Sequence, residues 1–419
     1  MTSADTHRTI DAVWRIESPR IIAGIARIVR DIGLAEELAQ DALVAALEQW
    51  PASGIPDNPG AWLTAAAKDR AIDHLRRNKR LEKKHEELRY QHEGQQNVPD
   101  YDSALDDEFG DDLLRLVFTA CHPVLSAEAR VALTLRLLGG LTTAEIARAY
   151  LIPEATVAQR IVRAKRILSE NRVPFEVPRG EELASRLSSV LEVLYLIFNE
   201  GYTATAGSDW TRPALCEEAL RLGRILAELV PNDAEVHGIV ALMEIQASRS
   251  RARVSAAGRP ILILNQNRAL WDQLLIRRGL AGLERAEKLG ASPGPYALQA
   301  AIAACHARAL VAEDTDWERI AALYAELARL MPSPIVELNR AVAIAMAFGP
   351  EAGLAIVDQL AMESALQNYH LLPSVRGDLL AKLGRFDEAR TEFERAAAMT
   401  QNARERELLL ERAQHALPS

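Results

Sequence analysis

Five polar side chains between residues 156 and 166 share one face of a predicted helix and carry groups suited to DNA recognition. Guanidinium groups can bind guanine edges or phosphates through two hydrogen bonds, and amide or hydroxyl groups can bind other base edges. The apolar residues of the same stretch recur at three- and four-residue spacing, so they would face inward. The polar set is Thr156, Gln159, Arg160, Arg163 and Arg166, and the apolar set is Val157, Ile161, Ala164 and Leu168.

A second short helix is predicted immediately before this one. Thr142 and Glu145 have the spacing of a capping box, which places a helix start there. Pro153 cannot continue that helix but suits the first turn of the next. The stretch 141–165 therefore indicates a helix-turn-helix, with Thr142 beside the DNA. A plain amphipathic helical hairpin would give part of the same pattern.

A basic segment lies further upstream, in a chain that is acidic as a whole. Residues 68–84 hold eight Lys or Arg against three acids, a local charge of +5, whereas the full chain carries −9. A basic island in an acidic protein favours phosphate contact, although a solvated helix face is the ordinary alternative. Trp62, just before the island, could stack on an unpaired base, but a core tryptophan is the commoner role.

Composition limits the class of protein. The 419 residues contain no run of eighteen apolar residues and no secretory leader pattern, so we expect a cytoplasmic protein. Strand signals are nearly absent and helical spacing is widespread, which predicts an all-α fold. The apolar run 260–264 is the one strand-like piece, interpreted as a buried helical or extended turn.

Nothing in the sequence predicts catalysis. There is no glycine-rich phosphate loop, no metal-ligand spacing and no plausible nucleophile set, so we expect no enzyme, no cofactor and no metal. Cys121, Cys216 and Cys305 are widely separated, which suits a reducing compartment. Cys121 beside His122 is interpreted as a local packing feature.

Two segments together resemble a known family. Residues 10–80 and 111–172 are similar to the two conserved regions of bacterial group IV (extracytoplasmic-function) sigma factors of the sigma-70 family. Residues 33–47 resemble the region-two helix that docks on RNA polymerase, residues 59–77 its promoter-melting segment, and the helix-turn-helix resembles region four. The resemblance implies core RNA polymerase and promoter DNA as partners.

The resemblance also implies roles for individual residues. Polymerase contacts would come from Glu37, Gln40, Asp41 and Leu43, and contacts to the −35 element from the helix-turn-helix residues above. Contacts at the −10 element would come from Trp62, Lys68, Asp69, Arg70, Asp73, Arg76 and Arg77. Asp69 stands where the family usually has Asn, and Ala158 and Gln159 stand where it often has Lys and Ser.

The resemblance and the composition shifts predict four segments. These are region 2 over 1–90, an acidic flexible linker over 91–112, region 4 over 113–173 and a helical extension over 174–419. The linker is rich in acids and free of Lys and Arg between 93 and 112, which predicts a flexible, solvating tether. The resemblance adds the alternative that its acids mimic nucleic acid in a polymerase channel.

The extension shows weak internal repeats, clearest over 297–410. Gly377, Gly384, Ala389, Phe393 and Ala396 fall at tetratricopeptide positions. The tail resembles that of the sigma-factor subgroup with tetratricopeptide-like extensions, which implies regulation through the extension by an unknown protein or peptide ligand. A purely structural tail is the alternative. Polar or aromatic residues beside helix breaks could line a ligand site or serve as turn and cap residues: Asn199, Glu200, Gly201, Tyr202, Asn265, Asn267 and Trp271.

Two readings of the whole chain remain open. The first is a sigma factor that recognises and melts promoters only together with polymerase. The second is a stand-alone helix-turn-helix regulator with a tetratricopeptide sensor domain, which would bind operators by itself as a dimer. The segments that resemble polymerase-docking and melting helices favour the first.

Overall fold

The computed structural model describes residues 3–87, 109–150, 152–207 and 209–415. This part of the chain contains eighteen α-helices, five 3₁₀ turns and one pair of two-residue strands, which confirms the all-α prediction. It divides into two compact units, Met1–Val193 and Leu194–Ser419, and the boundary falls within a helix. Most of the predicted acidic linker lies outside the described residues.

The first unit is built from seven helices and the beginning of an eighth. They are α1 (Ser3–Val29), α2 (Ile32–Ser53), α3 (Pro59–Glu87), α4 (Phe109–Ala120), α5 (Ala127–Leu137), α6 (Thr143–Tyr150), α7 (Glu154–Glu170) and the first part of α8 (Glu181–Tyr202). Asp31 starts α2 because its carboxylate accepts a hydrogen bond from the Leu34 amide at 2.9 Å.

Small residues allow α1, α2 and α3 to pack closely. Ala35, Ala39 and Ala42 on α2 are fully buried, and Trp50 closes the end of the same face. A face of alanines lets neighbouring helix backbones approach without leaving voids, while the large indole fills the remaining space. This bundle fixes the outer faces of α2 and α3.

The helix α4 begins before the predicted start of region 4. Asp112, which the sequence assigned to the flexible linker, lies in α4 and is buried. Its carboxylate pairs with Arg115 at 2.6 Å and with Arg27 of α1 at 3.2 Å. A buried carboxylate requires such partners, so Asp112 belongs to the packed part of the first unit.

The second unit continues with the later part of α8 and ten further helices. They are α9 (Pro213–Leu229), α10 (Ala234–Ala247), α11 (Gln273–Leu289), α12 (Pro295–Arg308), α13 (Trp317–Leu330), α14 (Pro334–Phe348), α15 (Pro350–Leu360), α16 (Leu371–Lys382), α17 (Phe386–Met399) and α18 (Ala403–His415). From α9 onward each helix packs on the next one in the chain.

The repeat positions identified in the sequence occupy a helix pair. Gly384 has φ +74° in the turn between α16 and α17, a conformation that favours glycine. Ala389, Phe393 and Ala396 of α17 are buried. A Cβ on Gly377 would lie 2.9 Å from the Phe393 ring, so the glycine lets α16 approach that ring closely.

A short parallel strand pair joins the beginning and the end of the second unit. The strand β1 (Ala206–Gly207) pairs with β2 (Gln401–Asn402). The Asn402 amide donates to the carbonyls of Ala204 and Asp209 at 3.0 and 2.9 Å. This pairing connects residues that lie almost two hundred positions apart in the chain.

The long connection between α10 and α11 contains three 3₁₀ turns, Ser250–Ala252, Ile263–Asn265 and Arg268–Leu270. The remaining turns are Ala312–Asp314 and Ser364–Leu366. The prediction that the run 260–264 is buried was wrong for Leu262 and Leu264, which are exposed. Among the described residues, no helix is both long enough and apolar enough to cross a membrane.

Candidate nucleic-acid and polymerase interfaces

The helix-turn-helix forms where the sequence placed it. The Thr142 amide donates to the Glu145 carboxylate at 2.8 Å, and the Glu145 amide donates to the Thr142 hydroxyl at 3.1 Å. This reciprocal pair is the predicted capping box, and α6 follows it. Pro153 occupies the N-cap of α7, one residue before the helix rather than within its first turn.

The two faces of α7 separate as the spacing predicted. Val157, Ile161, Ala164 and Leu168 are its buried residues. Gln159, Arg163 and Arg166 are exposed, and Thr156 and Arg160 are half-buried. Arg166 pairs with Glu170 at 3.4 Å. The outer face thus presents hydrogen-bonding side chains in a row, as major-groove readout requires.

Thr142 is exposed, and its polar groups already form hydrogen bonds with Glu145. Its hydroxyl also lies 3.0 Å from the Glu145 carboxylate, to which it can donate. The Glu145 carboxylate pairs with Arg15 of α1 at 2.8 Å. The start of α6 is therefore fixed on the first helical bundle.

The α3 residues expected at the −10 element lie along the outer side of that helix. Asp69, Asp73, Arg76 and Arg77 are exposed, while Lys68 and Arg70 are half-buried. Arg70 donates to the Ala66 carbonyl at 2.8 Å, and Arg76 lies 3.9 Å from Asp73. Arg77 is exposed, which suits a phosphate contact.

Trp62 packs on the core at one edge. Its ring is half-buried and meets the buried Trp50 ring in a T-shaped contact with centroids 5.4 Å apart. The contact orients the indole, so Trp62 has the core-packing role, the commoner of the two considered for it. The half that stays accessible is the part that could meet an unpaired base.

The residues expected to contact polymerase sit on α2. Glu37 and Asp41 are exposed, and Gln40 and Leu43 are half-buried. Val44 extends this face, with 51 % of its surface exposed. Acidic and apolar groups on one accessible ridge offer both charge and contact area to a partner protein.

Glu36 is a central residue that the sequence reasoning missed. It lies on the buried face of α2, yet its carboxylate accepts from Arg136 of α5 at 2.6 Å and from Gln40 at 2.6 Å, and it pairs with Lys165 of α7. The signal was available, since a carboxylate on a buried helix face needs cationic partners. Lys165 is consequently turned toward α2, away from the exposed basic row of α7.

The pair Cys121 and His122 offers little reactivity. Burial raises the pKa of the Cys121 thiol to about 11, and the thiol lies 3.3 Å from the Thr134 hydroxyl. Burial and the nearby Arg186 lower the pKa of His122 to about 4. Within the described ranges no group of three His, Cys, Asp or Glu side chains could hold a metal ion.

Comparison with known families finds three matches along the chain. Residues 14–81 match the family described as Sigma-70 region 2, and residues 115–168 match Sigma-70 region 4. Residues 186–287 match a family of unknown function, DUF6596. The first two matches cover α3 and α7, the helices with the exposed basic side chains.

Curated relatives match the chain over different lengths. An uncharacterized protein of Rhizobium meliloti (strain 1021) is 43 % identical over 401 residues, which is 94 % of this chain and 93 % of the relative. This chain belongs to the same family as that protein. It is also 28 % identical over 199 residues to the probable ECF RNA polymerase sigma factor SigI of Mycobacterium tuberculosis, covering 45 % of this chain and 68 % of SigI.

These matches give a coarse functional class. The chain carries sigma-70 region 2 and region 4 domains, and together with the ECF homologue they support a sigma-factor role. Core RNA polymerase and promoter DNA are the partners that such domains imply. The family of unknown function matches the early part of the second unit, and the Rhizobium meliloti relative extends over most of it.

Proposed function

We propose that this protein is an extracytoplasmic-function-type sigma factor, without catalysis of its own, that directs core RNA polymerase to promoters. The exposed row Gln159, Arg163 and Arg166 on α7, opposite a fully apolar buried face, is the observation that carries the proposal. Such a helix reads the −35 element, with Arg160 and Thr156 at its edge.

The −10 element is assigned to α3. Its exposed cations supply salt-dependent affinity for the DNA backbone, and the accessible half of Trp62 supports capture of an unpaired base. Promoter opening would then use binding energy released by trapping unpaired bases. The ridge of Glu37, Asp41 and Val44 on α2 is assigned to polymerase.

The second unit is assigned a regulatory role through a protein or peptide ligand. Consecutive helices that pack on one another, with the glycine-mediated approach of α16 and α17, support a tetratricopeptide-like arrangement. The unit makes up more than half of the chain and comes after the two sigma domains in the sequence. A purely structural appendage would leave transcription unaffected by substitutions on its accessible surfaces.

Footprinting on the DNA upstream of the protein's own gene tests the proposal. Protection of −35 and −10 segments, with unpaired bases detected at −10, is expected only when this protein and core polymerase are both present. Protection of paired half-sites by the protein alone, with no change on adding polymerase, would instead establish the stand-alone regulator.

A further inference from the structure

Three buried or half-buried arginines of the second unit lack the acidic partners that neighbouring arginines have. Arg249 and Arg253 are 8 % and 7 % exposed, and Arg268 is half-buried. Arg212 pairs with Glu200, and Arg224 pairs with Glu244 at 2.9 Å. Among the described residues, no carboxylate lies within ion-pair distance, 4.0 Å, of the other three guanidinium groups.

The three guanidinium groups alternate with two aromatic rings, an arrangement we name the arginine ladder. Arg253 lies 3.4 Å from the centroid of Tyr202, and Arg249 lies 5.7 Å from the centroids of both Tyr202 and Trp271. Arg268 lies 4.7 Å from the centroid of Trp271. Each ring is shared by two guanidinium groups, so the ladder brings three positive charges into one largely desolvated region.

The hydrogen bonds of the ladder go to neutral acceptors. Arg249 donates to the Tyr202 hydroxyl at 2.6 Å and to the Gln246 side chain. Arg253 donates to the Tyr202 carbonyl and to the Thr203 hydroxyl. Arg268 donates to main-chain carbonyls and the Thr315 hydroxyl. None of these acceptors neutralises a cation.

Other buried polar atoms beside the ladder have no partner. The Arg268 Nε and the Trp271 Nε1, both obligatory donors, are buried and unpaired in the described part of the chain, as is His306 Nδ1. Trp271 is 4 % exposed. Unpaired buried donors are uncommon in native interiors, and a bound ion is one of the explanations for them.

The surrounding electrostatics favour the binding of a negative charge. Burial lowers the pKa of Arg253 and of Arg268, and Arg249 lowers both further. Burial, Arg249 and Arg268 lower the pKa of His306 to about 3, so that ring is neutral. Glu313 and Asp314 act on Arg268 in the opposite direction from beyond ion-pair distance.

We propose that the arginine ladder is the binding site for a small-molecule oxyanion, a phosphate or carboxylate group. The planar fork of arginine binds either group through two hydrogen bonds, and a bound anion would offset the positive charge that the ladder concentrates. All three arginines fall within residues 186–287, the stretch that matches the family of unknown function. The site does not depend on the proposed sigma-factor role, because binding is measured on the chain alone.

Thermal unfolding of the full chain tests the site, with sodium phosphate or sodium succinate replacing chloride at constant ionic strength. A ligand that binds the folded state raises the unfolding temperature in a saturable manner. We expect a saturable rise in unfolding temperature with phosphate or with succinate. The probe that saturates at the lower concentration shows whether the site prefers a phosphate or a carboxylate group. Calorimetric titration should give one site per chain.

Conservative variants separate a binding site from a structural ladder. Arg253→Lys keeps the charge but loses the fork, and we expect the half-saturating concentration to rise by about tenfold or more. Arg268→Lys, at the half-buried end, provides the same test should Arg253→Lys fail to fold. Arg277→Lys, exposed on α11, is the matched control and should bind as the unaltered chain does.

Two results would overturn the proposal. One is the absence of any saturable rise with either probe at constant ionic strength. The other is an unchanged half-saturating concentration in folded Arg253→Lys and Arg268→Lys. Either result would leave the ladder as a packing element only.

Discussion

Glu36 and Arg136, one hundred residues apart in the chain, form an ion pair between a buried carboxylate and a half-buried guanidinium, with the Arg136 Nε 2.6 Å from the Glu36 Oε1. The other carboxylate oxygen of Glu36 pairs with Lys165. A single side chain of α2 therefore contacts both α5 and α7, the second helix of the helix-turn-helix. Three helices depend on one carboxylate.

Removing that carboxylate should destabilise the first unit. Glu36→Gln leaves the half-buried Arg136 and Lys165 without their anion, and we expect a loss of about 1–3 kcal/mol of unfolding free energy. Chemical denaturation, monitored by circular dichroism, measures this loss of stability. The matched control is Glu37→Gln, exposed on the same helix, which should stay within about 0.5 kcal/mol. Equal stability of the two variants would show that the Glu36 pairs contribute little.

Arg77 provides a test of phosphate contact by α3. It is exposed, so Arg77→Ala should not affect folding. We expect the slope of log affinity against log salt, measured for the polymerase complex on promoter DNA, to become shallower by about 0.7–0.9. Arg179→Ala, exposed outside the three candidate helices, is the control. An unchanged slope in both variants would remove Arg77 from the DNA interface.

The Cys121 thiol predicts a loss of stability at alkaline pH. Its pKa is raised from 9.0 to about 11 by burial, so the folded state retains the proton that the unfolded state releases. The contribution of this thiol to the free energy of unfolding is complete below pH 9. It is lost as the pH rises from 9 to 11, and the loss amounts to at most about 3 kcal/mol.

Cys121→Ala isolates this contribution. The variant should show a shallower fall in unfolding free energy between pH 9 and 11 than the unaltered chain, whatever its stability at neutral pH. Denaturation curves at several pH values give both slopes. Parallel slopes would mean that Cys121 does not control the alkaline behaviour.

Gly377 tests the close approach of α16 to α17. A Cβ there would lie 2.9 Å from the Phe393 ring, so Gly377→Ala should cost about 1–3 kcal/mol through overpacking. Gly282→Ala on α11 is the control, because its Cβ would meet Ala241 at an ordinary 3.4 Å and alanine favours helix. The thermal transition of the second unit should fall in the first variant and hold or rise in the second. Identical transitions would count against the tight contact.

Much of the fold and of the candidate site could be predicted from local sequence patterns. The capping box at Thr142 and the two faces of α7 follow from spacing alone, because side-chain direction in a helix repeats with its period. The same reasoning predicted an all-α fold from the scarcity of strand signals. These features depend on residues within a few positions of one another.

Tertiary pairings were not predictable in the same way. Nothing near Glu36 specifies Arg136 or Lys165 as its partners, and nothing near Asp112 specifies Arg27. Composition therefore placed Asp112 in a flexible linker, although packing makes it part of α4. The arginine ladder was missed for the same reason, even though Tyr202 and Trp271 were noted as possible ligand residues.

Run-off transcription with purified core RNA polymerase tests the central claim most directly. The template is the DNA upstream of the protein's own gene, and the proteins compared are the unaltered chain, Arg160→Ala and the control Arg179→Ala. We expect a specific transcript only with polymerase and this protein together. Arg160→Ala should weaken promoter affinity by about 1–3 kcal/mol if Arg160 binds guanine, and Arg179→Ala should have no effect. Failure of the unaltered protein to redirect polymerase, with binding to DNA by the protein alone, would contradict the account.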